Sequence, residues 1–147
     1  QRVQENMRPG AITLEGFLGS DTRNLGDIII EDDAEVKRMG LTHQDIASRM
    51  NELRDAGKEG LGEFITVPPH FEVRVDSVRG KLPCPFEHPG LFPKTNITVR
   101  NTRLRREITC TDLQIHLIEA HGFYEGQGSR YRIDPGELAE VLEVEVS

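Results

Sequence analysis

Six of the eight prolines in this 147-residue chain fall between Pro68 and Pro93. Proline fixes its own φ, offers no amide donor and drives the residue before it out of the helical region, so this stretch is barred from helix and can pair only along edges. It reads as loops and edge strands. The residues before it carry helical periodicity, and those after it return to a strand and then to helices.

On the N-terminal side, apolar residues at Leu25, Ile28, Ile29, Val36 and Met39 predict a helix closing at Gly40. Thr42 then caps a second helix, with Asp45 three residues on, a stripe of Ile46, Ala47, Met50 and Leu53, and Gly57 as a left-handed stop. Gly57, Gly60 and Gly62 connect to Glu63–Val67, and Phe71–Val75 alternates strictly, so two strands meet around Pro68-Pro69. Asn96–Arg100 supplies a third strand. Thr111 and Gln114 have the spacing of a capping box opening a helix through Ala120, with Gly122 just beyond. Asp134-Pro135 starts a closing helix that carries Leu138, Val141 and Leu142.

These elements predict one α+β domain over 1–147, with a helical part at about 22–57 and a sheet plus central helix at about 63–146. Its parts are an N-terminal helix pair, a small and mostly antiparallel sheet, a buried central helix at 111–121 and a short C-terminal helix. Segregated helices and strands favour this over a doubly wound fold. With 36% hydrophobic and 29% charged residues, a chain of this length buries a core without obligatory staples. Two cysteines are too few for a disulfide framework and point to a reducing compartment, the cytoplasm. No apolar run reaches the roughly 20 residues of a spanning helix, and Gln1–Gly10 lacks the apolar centre of a signal peptide. Gln1 is not the expected start of a natural chain.

The net charge of -7 argues against a nucleic-acid partner, and no membrane partner is expected. That charge is uneven: -4 over residues 1–61, +3 over 62–110 and -6 over 111–147. Anions are therefore expected in the middle third, with Lys94, Arg103 and Arg106 as candidate anion-binding residues. The same arginine run can instead answer the chain's own Glu-rich C-terminal segment or a second subunit.

The main candidate for chemistry joins Cys84 and His88, in the loop Pro-Cys-Pro-Phe-Glu-His-Pro, to His116 and His121 on the central helix. One thiol and three imidazoles are the ligand types of a tetrahedral zinc site, provided that the loop folds over the helix. Geometry opposes it, since positions 116 and 121 lie about 140° apart on an ideal helix. The competing reading is a core helix, apolar on nearly every side, whose histidines are bonded to backbone carbonyls. Cys84 between two prolines also suits a nucleophile beside an imidazole, although no oxyanion-hole pattern accompanies it. Cys110 reads as packing. Neither Gly60–Gly62 nor Gly126–Gly128 leads into a helix, so phosphate cradles are not indicated. Leu41–Ala47 resembles the start of a helix-turn-helix only locally, because strands come after it.

Two function classes result. One is a small-ligand or zinc-binding protein with a Cys/His site, with any enzymatic activity left open. The other is a non-catalytic interaction or oligomerisation domain, acting as a homo-oligomer or as a subunit of a complex.

Overall fold

Thr42 and Asp45 set the first firm boundary. The Thr42 side chain accepts from the Asp45 amide while the Asp45 carboxylate accepts from the Thr42 amide, closing both ends of a reciprocal cap. A computed structural model describes residues 2–13 and 16–146, so Gln1 lies outside the described residues. Within them the chain is mixed α+β. Its helices are α1 (Arg2–Asn6), α2 (Leu25–Arg38), α3 (His43–Gly57), α4 (Asp112–His121) and α5 (Pro135–Leu142), and a short 3-10 turn covers Lys58–Gly60. Its strands are β1 (Ile65–Val67), β2 (Phe71–Pro83), β3 (Leu91–Asn101) and β4 (Arg106–Thr111), paired antiparallel in the order β1-β2-β3-β4.

The alternation in β2 decides which face is covered. Phe71, Val73 and Val75 are buried, and the register places Asn101, Val99 and Ile97 of β3 beside them, with Ile108 and Cys110 of β4 on the same face. Helix α3 packs on this face through Ile46, Ala47, Met50 and Leu53. The opposite face carries Glu72, Arg74, Arg100 and Glu107, with Arg100 bonded to Glu107 at 2.7 Å, as expected of a sheet solvated on one side.

Several local expectations change. Gly57 is not a left-handed stop: its φ is -66°, and it lies inside the end of α3. It is needed because a Cβ there would stand 2.4 Å from Val73 Cγ1, so the helix could not approach the sheet so closely. The left-handed residue is Leu61, with φ of 51°. A fourth strand, Arg106–Thr111, starts at the last arginine of the run, while Arg103 lies in the turn before it. The strands of the Pro-rich stretch are longer than their alternation suggests, since β2 runs to Pro83 and β3 begins at Leu91, leaving residues 84–90 as the tip of a long hairpin. A register shift between Val78 and Lys81 bends that arm. Gln114 does not complete a reciprocal cap: Thr111 accepts from its amide, but its side chain donates to Tyr131 O at 2.6 Å.

Helix α4 is apolar on two sides because it divides two cores. Ile115 and Ile118 belong to the cluster between sheet and helices, whereas Leu113 and Leu117 belong to a second cluster with Met7, Phe17, Ile28, Cys84 and Phe123. Gly122, with φ of 59°, ends the helix by donating to Ile118 O. No helix among the described residues is long and apolar enough to cross a membrane.

Candidate metal centre

The hairpin tip begins with a tight turn. The Glu87 amide donates to Cys84 O at 2.9 Å, and Glu87 takes a left-handed φ of 64°, which reverses the chain just before His88. Helix α1 braces this turn: Asn6 donates to Pro85 O at 2.9 Å, and Arg2 pairs with Glu87 at 3.1 Å. The turn closes over α4, so the loop and the two helical histidines do meet.

Cys84 Sγ lies 3.5 Å from His121 Nε2. Ligand atoms of Cys84, His116 and His121 all fall within 4.8 Å of one another. The third imidazole joins them from the loop, with ring centroids at 4.8 Å for His88–His116, 5.6 Å for His88–His121 and 5.3 Å for His116–His121, each pair edge to face. The 140° between positions 116 and 121 is thus closed by the reach of the side chains. Phe86 stacks on His121 at 4.2 Å and Phe92 on His116 at 4.3 Å, so stacking fixes these ring planes.

A tetrahedral zinc ion sets values for comparison. With metal–nitrogen bonds of about 2.0 Å and metal–sulfur bonds of about 2.3 Å, sulfur and nitrogen ligands stand about 3.5 Å apart and imidazole centroids about 5.2 Å apart. The observed separations bracket those values. A thiol donating to His121 would account for the first distance alone. It would not account for three imidazoles converging, nor for His116 Nε2, which is buried without a hydrogen-bond partner among the described residues.

Electrostatics agree with a ligand set. Burial, then the neighbouring His116 and His88, hold His121 down at about 4. His116 is lowered by burial and by His88, with Glu119 opposing. Both imidazoles are neutral at pH 7, the form that donates a lone pair to a metal. Among the described residues, no carboxylate or carbonyl hydrogen-bonds to His121 to orient it as a base for Cys84.

The anion candidates do not come together. Lys94 is exposed on the hairpin arm, whereas Arg103 and Arg106 sit at the other end of β3, around the turn into β4. Arg103 pairs with Glu143 at 2.7 Å, and Arg106 pairs with Glu137 at 2.8 Å and with Glu140. These guanidinium groups thus answer the chain's own acidic C-terminal segment. Sequence reasoning missed the stacking role of Phe86 and Phe92, and it missed Glu125, a carboxyl buried beside the hairpin arm. No family model, curated protein or solved structure matches the chain.

Proposed function

We propose that the protein is a zinc-binding domain in which Cys84, His88, His116 and His121 hold one Zn²⁺ that pins the tip of the β2–β3 hairpin to α4. The observation that carries this reading is the convergence of Cys84, His116 and His121, whose ligand atoms lie within 4.8 Å of one another, with the His88 ring beside both helical imidazoles. Four protein ligands fill a tetrahedron, so the role is structural: the ion ties together the loop, α4 and, through the braced turn, α1. A thiolate of this kind suits the reducing cytoplasm.

Elemental analysis of the purified protein tests the proposal. About one zinc per chain is expected, with X-ray absorption distances near 2.0 Å for nitrogen and 2.3 Å for sulfur. His116→Ala and His121→Ala should each lose the metal. A metal-free protein that also fails to take up added zinc ends this reading.

A further inference from the structure

A cavity of about 310 Å³ lies beside the hairpin arm, walled by the N-terminal loop, β2, β3, the start of α4 and the segment after it. Phe17, Leu82 and Leu113 give it apolar walls. Glu125 also lines it, yet Glu125 is only 4% exposed. Among the described residues its carboxylate has one hydrogen-bond donor, the Ser129 hydroxyl at 2.6 Å, because the nearby Arg132 donates to the Glu125 backbone carbonyl instead. Glu125 is also held at a left-handed φ of 69°, a conformation uncommon for a residue with a side chain. A buried carboxyl with no ion pair to a cation, as Glu125 is among the described residues, is costly unless something supplies more opposite charge.

The opposite charge stands on the same walls. Lys94 lines the cavity from β3. A simple amine would satisfy Glu125 but would meet Lys94, and a simple carboxylate would meet Glu125. We propose that the cavity binds a small zwitterion with an apolar body, of the class of hydrophobic amino acids, with its ammonium on Glu125, its carboxylate on Lys94 and its body against Phe17, Leu82 and Leu113. Burial raises Glu125 to about 7, so an incoming ammonium would help to ionise it. The proposal does not depend on the zinc centre.

The test is a titration of the protein as purified, monitored by NMR, with L-leucine, L-phenylalanine and 6-aminohexanoate as probes. Phenethylamine and 3-phenylpropanoate, which each lack one charge, serve as controls. At least one zwitterion should give saturable shifts in β3, in residues 111–113 and in residues 125–131. L-Phenylalanine should bind about tenfold or more tightly than either control. Glu125→Gln and Lys94→Gln should each weaken the zwitterion about tenfold. Lys94 is exposed, so its variant keeps the test alive even where the other fails to fold. The proposal is overturned if no zwitterion binds at about 10 mM, if 3-phenylpropanoate matches L-phenylalanine, or if both variants bind as the natural protein does.

Discussion

Cys84 Sγ and His121 Nε2 meet at 3.5 Å although 37 positions separate them in the chain. Neither residue's own element accounts for the contact. The bent hairpin arm delivers Cys84, and the last turn of α4 delivers His121. A metal at this junction would lock together two segments that are otherwise joined by side-chain packing.

Metal removal should therefore be a stability experiment. A ligand bound only by the folded state stabilises it by about 4 kcal/mol when its free concentration is about 1,000 times its Kd. Chelation should lower the thermal midpoint, and re-added zinc should restore it. A midpoint indifferent to chelator and to zinc contradicts a structural ion.

The two cysteines should separate cleanly. Burial pushes the Cys110 thiol up to about 12, and it lies in the sheet–helix core away from the imidazoles. Cys84→Ala should abolish zinc uptake, whereas Cys110→Ala should retain one zinc per chain and lose only about 1 kcal/mol of packing in denaturant titrations. Equal zinc content in both variants would remove Cys84 from the ligand set.

The legible parts of this molecule are those whose causes are local. The Thr42–Asp45 cap, the Pro135 helix start and the Gly122 stop each depend on residues a few positions apart, and each stands where the pattern puts it. Strand β4 is not legible locally because its alternation is only Ile108 and Cys110 beside charged Arg106 and Glu107, and because the partners of Arg103 and Arg106 lie 31 to 40 residues downstream. The four metal candidates were readable as residue types, but ideal helical angles argued against their meeting. Glu125 had no local signature, since its cavity is assembled from five segments far apart in sequence.

A buried ion pair gives the largest expected single-site effect. Arg132 holds Asp32 through two bonds of 2.6 and 2.9 Å, with both side chains about 5% exposed, joining α2 to the segment before α5. Asp32→Ala leaves a buried guanidinium short of its partner, with Asp134 at 2.7 Å as the remaining carboxylate. A loss of about 3 kcal/mol is expected from urea titrations. A loss below about 1 kcal/mol would mean that Asp134 takes over the pairing.

Glu125 predicts a pH dependence of definite sign. Its carboxyl is raised from 4.5 to about 7, chiefly by burial, with Ser129 and Arg132 opposing; among the described residues, Lys94 and Arg130 are the other charged groups lining its cavity. The folded state therefore binds the proton more tightly than the unfolded chain. Its contribution is fully present below about pH 4.5 and is lost as the pH rises through about 7, a change of about 3 kcal/mol for this group. Glu125→Gln keeps an acceptor for the Ser129 hydroxyl but carries no titrating proton. The difference in unfolding free energy between variant and natural protein should thus grow in the variant's favour from about pH 5 to about pH 8. A variant more stable at neutral pH yet poorer in binding zwitterions would mark Glu125 as kept for its ligand and not for the fold; a pH-independent difference would show that its burial costs nothing that protonation relieves.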